Sequence, residues 1–555
     1  PLVQASLRQL TCRSHLLRRA VPPESAMPDL RSLIVGLAGG LPTGTVVALP
    51  STQDRERYWR RLGCGLRRRA EGTAPECGGP GAATLQGARK RKLSGSTLEP
   101  DGPASKARPP RPSVEAHRPS RRVAGGSAAG SGGVAGLIER IGDARASPVE
   151  SAKALTALRL LLCSEEQCAW EVISTGGLPV LVERLRDSSA ALQLEAAWVL
   201  GNIASGRRAE ASAVMNAGVV EAVFDILASP VVADRPELCD HCLWVLANIA
   251  GDDDLHLRDW VLLEAGAIGH LGCLYRRIPA FPWSFHSRLQ VLRSLTWLMS
   301  ALCHGKPAPP LKEVDCLFDY FPQVVASTED TQTLAEAAWG LCYLLEGAAD
   351  DPAACSRAAR MLSAGLPAGG APQLPKQHPV LLKLVQCARA ASGGQMTLSA
   401  APALRVLGAL LSTSSDAVGD AVIAAGALGA LSDILQNVRA PAQLRRDAAW
   451  ALSNVAAGTP SQAQHLDSAG AVAALSDVLE GGTPRGLRIE CAEALSNLAQ
   501  RCPKALRRFD QQRLHRLLGR ASAPGSSPAL PPGPAAGLQI CRSAFSGDGA
   551  DPSVA

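Results

Sequence analysis

Aromatic side chains make up only 4% of this 555-residue chain, and no run of 18 or more apolar residues occurs in it. The closest stretch, Leu33 to Leu49, is broken by Gly36, Gly39, Gly40 and Pro42, so no membrane span is read. The 16 cysteines are scattered through helical patterns with no secretory signal ahead of them, which suits a reduced intracellular setting better than a disulfide framework. Cys239 and Cys242 have the spacing of a metal-binding pair, with His241 between them. No second pair stands at zinc spacing, so they read as helix packing. Cys303-His304 and Cys163/Cys168 read the same way. A nucleophile–base set, a glycine-rich phosphate loop and paired carboxylates are all lacking, so the sequence points away from an enzyme and implies no metal or cofactor.

Charge is present but unevenly placed. Residues 1–133 carry 22 Lys+Arg against 9 Asp+Glu, while the remainder carries 35 against 41. A basic arm joined to an acidic body can attract that body, or the body can attract a basic segment of another protein. Residues 71–133 are Gly, Pro, Ser and Arg without one aromatic, so they cannot bury a core and should be disordered. Residues 1–20 are Arg-rich and free of acids, loosely like a transit peptide, although the chain opens on Pro1 and its first Met is Met27. From Val134 the pattern changes to short helices with apolar residues at three- and four-residue steps. A Pro/Gly/Ser-rich tail follows 520.

What is there, repeatedly, is one phrase: an apolar helix with a Trp and, four residues later, an Asn. Its clearest copies hold Trp198/Asn202, Trp244/Asn248 and Trp450/Asn454. Trp297, Trp339 with Tyr343, Arg405, and Glu493 with Asn497 hold equivalent positions. Successive steps of 46, 53, 42, 66, 45 and 43 residues separate these positions. A unit of about 40–47 residues with two or three helices fits armadillo or HEAT repeats. The long step implies an insertion near 365–377. Glycine turns at Gly176-Gly177, Gly218, Gly266, Gly426 and Gly470 open the middle helix of their units, and one unit without the phrase, around Ser151 to Cys163, precedes the first. The reading is an all-α, right-handed armadillo solenoid of about eight repeats over 134–520, with an arm over 1–133 and a tail over 521–555.

A spacing of four puts Trp and Asn on one helical face. Such a ladder, standing clear of the core, would suit an extended basic peptide. Indoles would flank Lys and Arg stems, at about 0.5–2 kcal/mol per cation–π contact. Each Asn amide would clamp the peptide backbone, at about 0.5–1.5 kcal/mol per bond. Glu195, Asp252, Asp253, Asp447 and Glu490 are the candidate acids at the slot ends.

These phrases resemble the importin-α family, unit by unit. Glu195 to Gly206 is similar to its second repeat and Ala247 to Asp252 to its third. Leu292 to Trp297, followed by Cys303 to Pro310, is similar to its fourth, Trp339 with Tyr343 to its fifth, and Arg405 stands where its sixth also uses Arg. The resemblance implies a nuclear-import adaptor that shuttles between cytoplasm and nucleus. It would carry basic nuclear localisation signals in a major site (Trp198, Asn202, Trp244, Asn248, Asp252, Trp297) and a minor site (Trp339, Tyr343, Arg405, Trp450, Asn454, Asn497). It also implies an arm that binds importin-β through a segment such as 54–92, whose Arg89, Lys90, Arg91 and Lys92 would compete for the groove. Ala301 and Ala409 replace Asn, and Glu493 replaces Trp, which weakens the minor site most. A scaffold with a non-import partner is the alternative. Nucleic-acid binding is disfavoured, because Tyr58 and Trp59 are the arm's only aromatics.

Overall fold

The structure is a computed structural model, and it describes residues 133–164, 167–347, 358–359, 361–362, 378–392, 397–481 and 483–502. Those residues are helical, with no strand among them. The arm segments, the 365–377 insertion and the tail lie outside them. Two compact units divide the described chain, one holding residues 133–347 and the other residues 378–502.

Within each unit the same three-helix plan recurs. In the second repeat Cys168–Ser174 leads into Gly177–Leu185 and then Ala190–Ala204. In the third, Arg208–Asn216, Val219–Ala228 and Pro236–Ala250 follow the same order. The corner between first and second helices is made by a glycine in the left-handed region. Gly176, Gly218, Gly266, Gly426 and Gly470 have φ of 73°, 80°, 64°, 84° and 70°. All are glycines singled out in the sequence, and an L side chain there would meet its own backbone. The turn bends Arg208–Asn216 against Val219–Ala228 by 63°, and Asp416–Ala424 against Ala427–Gln436 by 70°. Proline at the first position opens Pro236–Ala250 and Pro460–Ser468, the latter with a Thr459/Gln462 capping box.

Eight third helices result: Pro148–Ser164, Ala190–Ala204, Pro236–Ala250, Phe285–Cys303 and Thr331–Gly347 in the first unit, and Ala400–Leu411, Ala442–Ala456 and Arg485–Arg501 in the second. Each packs on the next within its unit. A helix wedged between two copies and its own second helix is covered on nearly every side, so its composition is apolar all round. Pro236–Ala250 buries Leu238, Cys239 and every residue from His241 to Ala250. The small side chains Ala196, Ala197, Ala448 and Ala449 are each 0% exposed and let the helices approach closely. Because each repeat touches only its neighbours, its stability is set largely by those seams.

Candidate functional site

The third helices carry the Trp and Asn positions, and the seams determine where those side chains go. Trp244 packs against the preceding repeat. Its six-membered ring occupies the space that a Cβ on Gly201 would take, 2.3 Å from Cε3 and Cζ3. Trp450 does the same over Gly408, where a Cβ would stand 2.0 Å from Cζ3. The glycine one residue before the equivalent Asn position is therefore the seat of the next repeat's indole. Trp244, Trp297 and Trp450 are buried, at 8%, 2% and 5% exposure, whereas Trp198 and Trp339 are half-buried.

The asparagines follow the same rule. Asn248 Nδ2 donates to Gly201 O and Asn454 Nδ2 to Gly408 O, both at 3.4 Å. Asn497 Nδ2 donates to Ser453 O at 3.2 Å, and Asn202 Nδ2 lies 3.7 Å from Cys163 Sγ. Each amide thus spends one N–H on the repeat before it. Asn248 and Asn454 are fully buried. A ladder of Trp and Asn standing clear of the core is accordingly corrected. Trp198, Asn202, Trp339, Tyr343, Arg405 and Asn497 are the partly open members, and Trp244, Asn248, Trp297, Trp450 and Asn454 form the floor and the seam. Three polar atoms of that floor have no partner: Trp244 Nε1, Asn248 Oδ1 and Trp450 Nε1 are buried without a hydrogen bond. A buried group in that state costs about 1–3 kcal/mol until something pairs with it.

The acids expected at slot ends are mostly engaged internally. Glu195 Oε2 accepts from Arg159 Nε at 3.0 Å. Asp447 accepts from Arg405 Nε at 3.5 Å and from Gln443 Nε2 at 2.8 Å, and burial still pushes its pKa up. Glu490 is buried. Asp252 accepts from the Asp254 backbone N–H and lies 3.9 Å from the exposed Arg208. Both Arg–acid pairs share a register. Arg405 holds the Trp position of the sixth repeat and reaches the acid three residues before Trp450. Counting back from Trp198, Arg159 holds the Trp position of the first repeat and reaches the acid three residues before Trp198. Its guanidinium also lies 3.9 Å from the centre of the Trp198 ring. Continuing the register back into the first repeat would have revealed Arg159, and the absence of an indole at that position concealed it.

Two more residues at that minus-three position were not read from the sequence as functional. His241 places its ring 4.6 Å from Trp198 and 6.3 Å from Trp244. Its Nδ1 faces Glu237 O at 2.8 Å, so it must donate there, leaving a lone pair on an unpartnered Nε2. Burial, more than any neighbouring charge, holds its pKa below the usual value. Glu336, three residues before Trp339, is 1% exposed with Oε2 unpartnered, and burial pushes its pKa up to about 8. Farther along the row Trp339 stacks on Tyr343 at 5.7 Å and 19°, and His304 meets Tyr343 at 4.8 Å. Cys239 and Cys242 are buried in their helix, and burial raises both thiols. The arm residues Arg89 to Lys92 lie outside the described residues.

Stacked three-helix units with a glycine corner define an armadillo-repeat protein, and the armadillo/β-catenin-like repeat family matches residues 165–205. Over part of its length the chain is similar to importin-α subunits. It is 36% identical over 200 residues to importin subunit alpha-2 of Arabidopsis thaliana, covering 36% of this chain and 35% of that one. It is 30% identical to importin subunit alpha-1b (54% and 48% covered) and to importin subunit alpha-1a (58% and 54% covered), both of Oryza sativa subsp. japonica. The chain therefore spans about a third to about half of the length of these relatives. A crystal structure of an engineered protein superposes with a TM-score of 0.58 at 21% identity, covering 74% of this chain and 88% of that one, and supports the fold alone.

Proposed function

We propose that this protein is a nuclear-import adaptor that binds an extended basic peptide along the Trp/Asn third helices of its first unit. A second connection, from the basic arm to importin-β, would link the cargo to transport, and the protein would pass between cytoplasm and nucleus. The observation that carries the reading is the state of the third repeat. Trp244 Nε1–H and Asn248 Oδ1 are a donor and an acceptor on one helix face, both buried and unpartnered. A peptide backbone offers the complementary pair, an acceptor C=O and a donor N–H, at every residue. Homology to subunits named importin alpha supports the same reading. The role is one of recognition and not catalysis. The C-terminal row, with Ala409 and Glu493 in place of Asn and Trp, is the weaker site.

Trp244→Ala combined with Asn248→Ala should weaken binding of a single-cluster Lys/Arg peptide by about 2–4 kcal/mol, the sum of one aromatic wall and one backbone clamp. Calorimetry on folded protein measures it, and an unchanged affinity would remove this face as the binding site. Capture of importin-β by the full chain but not by a chain lacking residues 1–133 tests the arm. The alternative, a scaffold for a non-import partner, gains from one observation: the chain's own Arg159 already lies on Trp198.

A further inference from the structure

We infer that His241 is a specificity determinant: it closes the slot between Trp198 and Trp244, so that a basic ligand is gripped by Trp244 and the repeats after it and not by Trp198. This rests on the proposed peptide-binding role and departs from the expectation that Trp198 forms part of the main site.

A slot that admits a Lys or Arg stem needs its walls about 7–8 Å apart, because carbon atoms sit about 3.5–4.0 Å from each other at contact. The space beside Trp198 is already filled. The imidazole of His241 stands 4.6 Å from the indole, tilted by 48°, and the same ring presents its edge to Trp244 at 6.3 Å and 77°. From the repeat before, the Arg159 guanidinium lies 3.9 Å from the indole centre and is held there by Glu195 at 3.0 Å. Trp198 therefore has a cation of this chain against it from one neighbouring repeat and a neutral ring against it from the other. His241 is itself fixed: its Nδ1–H donates to Glu237 O, one turn back on its own helix, and the side chain is 6% exposed. The minus-three position is Glu195, Glu336, Asp447 and Glu490 in four other repeats, acids that a cation would favour. In the third repeat alone that position carries an imidazole inserted between two indoles. The Nε2 of the same ring is itself buried and unpartnered, so the closed slot presents no charge to a basic stem.

The test compares wild type, His241→Ala, Trp198→Leu and the double variant, each shown to be folded by its thermal transition, with one Lys/Arg-rich peptide in a calorimeter. Opening the slot in His241→Ala should tighten binding about tenfold, within the range of one cation–π contact. Trp198→Leu should change wild-type affinity less than threefold and should abolish the gain in the double variant. A tenfold loss in Trp198→Leu alone, or a His241→Ala affinity equal to or weaker than wild type, overturns the inference and leaves peptide binding standing. If neither wild type nor His241→Ala binds the peptide, the functional reading itself fails. Because alanine at a packed site can unfold the repeat, wild-type protein is also cross-linked with peptides carrying a diazirine at each basic position in turn. Adducts on Trp244, Asn248 and the third helices of repeats four and five are expected, and an adduct on Trp198 or His241 overturns the closure.

Discussion

Glu336 gives a prediction whose size follows from burial alone. It sits on the third helix of the fifth repeat, 1% exposed, with Oε2 unpartnered, and its pKa is pushed from an ordinary 4.5 to about 8. A folded-state pKa above the unfolded value means the folded protein holds the proton more tightly. The neutral acid's contribution is fully present below about pH 4.5 and is lost as pH rises through 8. The linkage slope is about 1.4 kcal/mol per pH unit between those limits, so by pH 9 the ionised Glu336 costs on the order of 4 kcal/mol relative to a group that cannot ionise. Glu336→Gln keeps the shape and a hydrogen-bonding head while removing the titration. Urea unfolding of both proteins at pH 5, 7 and 9 is the assay. The two should differ by less than about 1 kcal/mol at pH 5, and the variant should be ahead by about 3–4 kcal/mol at pH 9. Parallel pH profiles for the two proteins would refute the buried, uncompensated carboxyl.

Four further outcomes follow from the helix glycines, the arm and His241. Gly201→Ala would put a methyl 2.3 Å from the Trp244 ring, so it should destabilise by about 1–3 kcal/mol although alanine is the better helix former. Gly429→Ala, in the Ala427–Gln436 helix with nothing within 4 Å, should stabilise by about 0.5–1 kcal/mol, and chemical denaturation reads both. Deleting residues 1–133, or changing Arg89, Lys90, Arg91 and Lys92 to Ala, should tighten basic-peptide binding, more so at low salt. Equal affinities at low ionic strength would show that the arm does not compete. His241 is held neutral by burial, so its contribution to stability should be complete above about pH 6.5 and fall as pH drops below that value. His241→Gln should flatten that acid limb in thermal melts.

The repeat was legible because it is local. The Trp phrase recurring mostly every 42–53 residues and five glycines before apolar runs are patterns within one helix or one corner, and all five glycines adopt the left-handed conformation. Depth was not legible. Trp198 and Trp244 occupy the same place in nearly the same phrase, yet one is half-buried and the other 8% exposed, because Trp244 meets Gly201 whereas the repeat before Trp198 offers Arg159. That difference is set by residues 36 to 47 positions away, as in Arg159–Glu195 and Asn248–Gly201. A helical face assigns a direction to a side chain, and only the neighbouring repeat decides whether that direction leads to ligand or to protein. The acids show the same limit, since charge in the sequence does not reveal which partner already holds it.

The asparagine ladder makes one set of side chains serve two loads, like stitches that also carry the buttons. Where Asn survives, altering it for a new ligand also loosens the stitch to the repeat before. The fourth repeat shows a way out. Its Asn position is Ala301, and its seam with the third repeat is fastened elsewhere: Ser294 Oγ donates to Asp240 at 2.5 Å, Trp283 Nε1 to Ala233 O at 2.8 Å, and Arg277 to the carbonyls of Leu227 and Ser229. With cohesion moved to those fasteners, position 301 can drift without the stack paying for it. Lineages of such repeats would then diversify first where the stitching is redundant and last where, as at Asn248, the Asn amide itself bonds to the repeat before.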